Sequence, residues 1–435
     1  MSTHQNQSLQ PQHFSIFCFP STGHLNTFIP LGHELQQRGH RVTLVGVLDV
    51  KATVLAAGLG FQPIGEQTFP IGTVAARLSQ LGTLKGLAAT RHTSQLVYDL
   101  AEICLQEGPV ILQRIGVGAC IVDQVTSEGG TVADALGLPF VSVCSALALN
   151  WHVEVPPCFT PWGYSKYPWA QLRNFMAYLW LYRLTSPLRH RIAAVRQQRQ
   201  LPPHEDPNDA YSQLAQISQQ PLEFEFPRQH LPQNFYFTGP FHRASPLAPP
   251  PFPFETLTGQ PLIYASLGTL QNQLPGVFET IAIACQGLNV QLVIALGRTL
   301  HPDLLPTFPG NPIVVDYAPQ VALIQRSALV ITHGGLNTAL ECLTYGVPMV
   351  AIPITNDQLG VSARIAWAGV GQMIALKRLT VQRLHQAIQT VITEPSYRGN
   401  AARLQKAIDQ AGGVAKAADI IEQAVGPNYS PSLSA

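Results

Sequence analysis

The chain has 435 residues, of which 46% are hydrophobic, ample for more than one buried core, and the length favours two α/β domains. Charged residues make up only 12% and the net charge is +1. With no basic stretch and no nucleic-acid motif, a polyanionic partner is not expected.

Polar MSTHQNQSLQPQ lacks the basic-then-apolar pattern of a signal peptide. Gly, Pro and polar residues break every apolar stretch that approaches bilayer length. The seven cysteines form no CxxC pair and read as free thiols in a reducing compartment. A cytoplasmic location is therefore expected, with contact to a membrane surface left open.

Short apolar runs alternate with amphipathic stretches, the pattern of βαβ units and a parallel sheet. Strands are expected at 14–19, 41–47, 61–65, 119–123 and 139–145. Phe28, Leu31 and Leu35 share one face of a helix that ends at Gly39. A second series follows at 261–268, 290–297, 312–317, 329–335 and 348–354. Residues 240–253 hold six prolines, which no helix or central strand can absorb. The expected organisation is thus a first domain over 1–239, a linker over 240–258, a second domain over 259–425 and a disordered tail over 426–435. Residues 151–182 interrupt the alternation with four of the five tryptophans.

In doubly wound sheets, ligands bind beyond the carboxyl ends of the strands, where strand order reverses. With the order 3-2-1-4-5, the loop PSTGHLNTF carrying His24 should meet Asp123 at the end of strand four. A carboxylate on Nδ1 leaves Nε2 as a base able to take a proton from an attacking hydroxyl. The alternative is that His24 caps the following helix and Asp123 satisfies loop amides. In the second half, strand one ends in Ser266-Leu267-Gly268-Thr269, and strand four runs into THGGLNTALECL. Glycines before a helix N-terminus suit a diphosphate, with His333, Asn337 and Thr338 as further donors; a tight turn is the other reading. Glu341 can chelate ribose hydroxyls. Tyr317, Ala318 and Gln320 can hold a base. Asp357 and Gln358 can hold sugar hydroxyls or act as ordinary helix caps.

The run YAPQ, then THGGLNTALE, then GVPMVAIPITNDQ resembles the signature of the inverting, nucleotide-sugar-dependent glycosyltransferases that include UDP-glucuronosyltransferases and natural-product glucosyltransferases. GHLNTFIPLGHELQQRGHRVTLV and ACIVD agree more loosely. DQLGVSARIAWAGVG most resembles the bacterial carotenoid (zeaxanthin-type) branch. The resemblance implies a GT-B fold: α/β, two doubly wound Rossmann-like domains with a cleft between them. The first would bind the acceptor and the second the donor. It also implies His24 as base with Asp123 as its partner. Gln320 and the Ala318 backbone would bind uracil, with Tyr317 stacking where many relatives have Trp. Ser266, Gly268, Thr269, His333, Gly335, Asn337 and Thr338 would surround the diphosphate, Glu341 the ribose, and Asp357 and Gln358 the sugar. Gly360-Val361 departs from the Asn-Ala common in relatives.

The implied reaction moves a hexose, glucose by the closest likeness, from a UDP-sugar to a hydroxyl of a small apolar or aromatic acceptor. Trp151, Trp162 and Tyr164 are expected at the acceptor; the other reading of the segment 151–182 is that its aromatics pack onto the domain or touch a membrane surface. No metal or other cofactor is expected, and no Asp-x-Asp triplet occurs. A sugar-nucleotide epimerase of the same fold is disfavoured by the aromatic insertion and the His24–Asp123 pair. A non-catalytic helper would be expected to lack base or donor residues, and none is missing.

Overall fold

The computed structural model describes residues 11–426 apart from 82–83, 85, 242–249, 269–273 and 298–306. Thr269, residues 242–249 of the expected linker and nearly all of the expected tail lie outside the described residues.

Two parallel sheets carry the fold. The first has seven strands: β1 (His13–Phe17), β2 (Arg41–Gly46), β3 (Gly60–Pro63), β4 (Ala119–Asp123), β5 (Phe140–Cys144), β6 (Gln216–Ser218) and β7 (Phe235–Phe237). Their order is β3-β2-β1-β4-β5-β6-β7, so the expected 3-2-1-4-5 core is extended at one edge. The second sheet holds β8 (Leu262–Ser266), β9 (Gln291–Ala295), β10 (Ile313–Val315), β11 (Ser327–Thr332), β12 (Met349–Ala351) and β13 (Gly371–Met373). Its order, β10-β9-β8-β11-β12-β13, repeats the same reversal.

Apolar side chains leave both faces of each central strand. Phe14 and Ile16 of β1 face one core with Ala119 and Ile121 of β4, while Cys120 and Val122 face the other. In β8, Leu262 and Tyr264 are separated in the same way from Ile263 and Ala265. Strands buried on both faces read as continuous apolar runs, which is why they were visible in sequence. The register pairs Phe17 with Val122 and Ser266 with Thr332. In each sheet, therefore, the loops after the first and fourth strands leave side by side.

The last helix, Gly413–Val425, was counted with the second half by sequence but packs on the first. Ala417, Ala418, Ile421 and Val425 join the core of Phe14 and Phe28. Arg38 donates to Asp419 at 2.6 Å and to Glu422 at 2.8 Å. A buried ion pair makes a second tie between the halves. Arg364, in the helix Gln358–Trp367, donates through Nε to Glu225 at 2.9 Å, and both side chains are about 1% exposed. No described helix is long and apolar enough to cross a membrane.

Candidate active site

A cavity of about 1880 Å³ opens between the two halves, lined by the carboxyl-end loops of both sheets. On the first side, His24 stands in the opening turn of the helix Thr22–Gln37. Its Nδ1 lies 2.5 Å from Asp123 Oδ2. Asp123 is fully buried and also accepts from the amides of Phe19 (3.4 Å) and Val125 (3.2 Å). Both sequence readings thus apply to Asp123, which holds loop amides and the imidazole together. The capping alternative for His24 does not occur, since its ring is turned to the carboxylate.

Ser145, directly after β5, completes the cluster. Its Oγ lies 2.7 Å from His24 Nδ1 and donates to Asp123 Oδ1 at 2.8 Å. Burial opposes charging of His24, but the charge and hydrogen bond of Asp123, with Asp357 adding, outweigh it and raise the imidazole pKa. Nδ1 is committed to the carboxylate, so Nε2 is the nitrogen left to exchange a proton.

Ser266, Gly268, His333, Gly335, Asn337, Thr338 and Glu341 all line the opposite wall. Gly268 and Gly335 flank the His333 ring so tightly that a Cβ on either would lie 2.7 and 2.6 Å from it. Any larger residue would displace the imidazole. Burial pushes His333 down to about 4 although the Ser266 backbone opposes it, so near pH 7 it is neutral and offers a single N–H. The helix Leu336–Thr344 points its N-terminus at the same space, where the first amides have no partner within the helix.

Asn337 is partly committed elsewhere. Its Nδ2 donates to the Gly23 carbonyl at 2.7 Å, and its Oδ1 accepts from Gln219 at 3.0 Å. Gln219 Nε2 also lies 2.9 Å from Thr27 Oγ1 and 3.0 Å from the Ser145 carbonyl. One buried amide therefore joins the His24 helix, the Ser145 loop and the donor-side helix. Sequence reading missed Gln219 because it follows a three-residue strand. Ser145 carried a usable signal, being the last residue of the strand-five run beside Asp123.

Gln320 donates to Glu341 at 2.7 Å and to Thr338 at 3.3 Å, and accepts from Tyr264 at 3.2 Å. Burial lifts Glu341 to about 7, against the Gln320 hydrogen bond. Tyr317 and Ala318 lie on the same wall. Asp357 and Gln358 also reach the cavity. Burial raises Asp357, and a charged His24 would lower it, which sets the two groups in electrostatic contact across the cleft. Neither Asp357 nor Gln358 caps the helix Gln358–Trp367 through its side chain; Gln358 Oε1 instead accepts from the amides of Ile354 and Thr355 in the preceding loop, at 3.0 Å each.

Trp151, Trp162 and Tyr164 are not among the residues that line the cavity. Asn208 grips both the amide (2.8 Å) and the carbonyl (3.2 Å) of Trp151, and the indole packs on Tyr178. Trp162 lies under the Arg173 guanidinium, and Tyr164 packs against Phe226 and Trp367. The aromatic segment contributes Phe159, Trp180 and Leu181 instead, joined by Leu184 just beyond it. The Gly360 departure has a steric cause: its amide donates to the Cys158 carbonyl at 2.9 Å, and a Cβ there would sit 2.2 Å from that oxygen. A side chain at 360 is excluded by the segment that walls the cavity.

Among the described residues, one group has metal-ligand proximity, namely His152, Glu154 and His230. It lies outside the cavity lining, and its two imidazoles stack at 4.7 Å.

Residues 82–411 match the family model described as UDP-glucoronosyl and UDP-glucosyl transferase. The chain is 33% identical to a zeaxanthin glucosyltransferase of Pantoea ananas, over 94% of this chain and 95% of that one. It is also 33% identical to a zeaxanthin glucosyltransferase of Pseudescherichia vulneris, over 97% of this chain and 100% of that one. Among solved structures it resembles the calicheamicin glycosyltransferase CalG4, with a TM-score of 0.75, 21% identity, and coverage of 97% and 100% of the two chains.

Proposed function

Because the chain belongs to the UDP-glucoronosyl and UDP-glucosyl transferase family, and is a glycosyltransferase of GT-B fold, we propose that it moves glucose from UDP-glucose to an apolar alcohol. The observation that carries this reading is the His24–Asp123–Ser145 cluster, set across one cavity from a helix N-terminus and a neutral histidine.

The acceptor hydroxyl enters beside Phe159 and Trp180 and gives its proton to His24 Nε2 as its oxygen attacks the anomeric carbon. Asp123 stabilises the imidazolium, and Ser145 fixes the carboxylate. The bond to the UDP oxygen breaks as the new one forms, with inversion. Charge developing on the diphosphate meets the amides of the helix beginning at Leu336 and the His333 N–H. Gln320 and Ala318 hold the uracil, Glu341 the ribose, and Asp357 and Gln358 the sugar. No metal is required by this scheme. The zeaxanthin glucosyltransferases among the relatives support both glucose and a large, largely hydrocarbon acceptor.

The pH profile tests the base. The raised pKa of His24 means that the neutral, competent form is lost as pH falls through a value above the ordinary 6.5. The acid limb of kcat/KM is therefore expected above 6.5, and Asp123→Asn should shift it downward while slowing transfer. A limb unmoved by Asp123→Asn would remove His24 from this role.

A further inference from the structure

We propose that the outer face of the helix Pro168–Leu184 is a docking surface for an anionic lipid bilayer. Trp169, Leu172, Met176 and Trp180 recur at i, i+3, i+7 and i+11, which places them on one stripe. All four are between 40% and 63% exposed, as is Phe175 beside them. Ala170, Asn174 and Tyr178 form the opposite stripe and are buried against the first domain. The helix therefore already has its protein-facing side, and the apolar stripe is a second, unpaired one. Isolated exposed apolar residues need no explanation, but a contiguous aromatic and aliphatic face does.

Charge identifies the occupant. From Val155 to His204 the sequence holds no Asp or Glu, yet carries one Lys and six Arg. Arg191 and Arg196 are paired with Glu102 and Asp134. Lys166, Arg173, Arg183 and Arg189 have no carboxylate partner among the described residues. Long basic side chains can lay their stems along an apolar face and leave their charge at headgroup level, and Trp and Tyr favour the same depth. A helix of 17 residues with two arginines lies on a bilayer rather than through it.

The face is continuous with the cavity, since Trp180, Leu181 and Leu184 belong to both the helix and the cavity wall. An acceptor dissolved in lipid would have a path to His24 that avoids water. That path rests on the apolar-acceptor reading above, whereas vesicle binding does not, so either can fail without the other.

The test measures partition of the whole chain onto vesicles by co-sedimentation, with no substrate present. Binding is expected to mixed phosphatidylglycerol–phosphatidylcholine vesicles, to be weak on phosphatidylcholine alone, and to fall with added salt. Lys166→Gln and Arg183→Gln should each lower the partition coefficient roughly five-fold. Trp169→Ser with Leu172→Gln and Met176→Gln should lower it more than about tenfold, with UDP binding and urea midpoint unchanged, since these three side chains lie outside the cavity. No binding to anionic vesicles, or binding that these variants leave unaltered, would overturn the proposal. So would a dimer that binds no vesicles and that the triple variant dissociates, since a second copy would then cover the face.

Discussion

Replacing His24 with alanine is expected to slow transfer by about 10²–10⁴-fold while leaving UDP affinity near that of the wild type. The rate falls because the acceptor hydroxyl loses the imidazole held between a buried carboxylate and the cavity. Affinity is preserved because the groups proposed to hold the nucleotide lie on β8, on the loops after β10 and β11, and on the helix Leu336–Thr344. Steady-state rates combined with UDP titration calorimetry separate the two effects. A rate within a few-fold of wild type would be incompatible with His24 as base.

Arg364→Met is expected to cost about 3–5 kcal/mol of stability, because it takes from a buried carboxylate the nearer of its two guanidinium partners, leaving Arg228 at 3.6 Å. Arg364 donates to Glu225 Oε1 through Nε at 2.9 Å and again through Nη2, and through Nη1 to the Gly360 carbonyl at 3.1 Å. Burial works against ionisation of Glu225, but Arg364 and Arg228 outweigh it and hold the carboxyl below its usual range. A depressed carboxylate stabilises the fold above the ordinary value of 4.5, and that contribution is lost as pH falls through the lowered one. In Arg364→Met, urea midpoints should drop at neutral pH and depend less on pH on the acid side. Adding Glu225→Gln should recover part of the loss. A midpoint equal to wild type would mean the pair does not hold the halves together. Because Arg364 shares its helix with Gln358, acceptor and donor walls should loosen together.

The central strands were legible because parallel strands buried on both faces are unbroken apolar runs between turn residues. β6, β7 and β13 were not, since segments such as Gln216-Ile217-Ser218 and Gly371-Gln372-Met373 lack the longer apolar run that marks the equally short β10 and β12. The position of the last helix was equally hidden: an amphipathic stretch states that one face is buried, not which sheet receives it. His24 and Asp123 could be paired from strand order alone, because a reversal of order juxtaposes two known strand ends. Gln219 could not, since its role depends on three partners from separate loops. The aromatic segment shows the limit most clearly. Composition marked it, but packing partners from other elements, Asn208 on Trp151 and Phe226 and Trp367 on Tyr164, engage those aromatics, while Phe159 and Trp180 line the cavity.

The most direct test is the anomeric configuration of the product formed from UDP-glucose and a xanthophyll-like or polyphenolic alcohol, read by proton NMR without added metal. UDP-glucose carries an α-linked sugar, so a single displacement with His24 as base predicts a β-glucoside. An α-linked product, or free glucose with no glycoside at all, would contradict it.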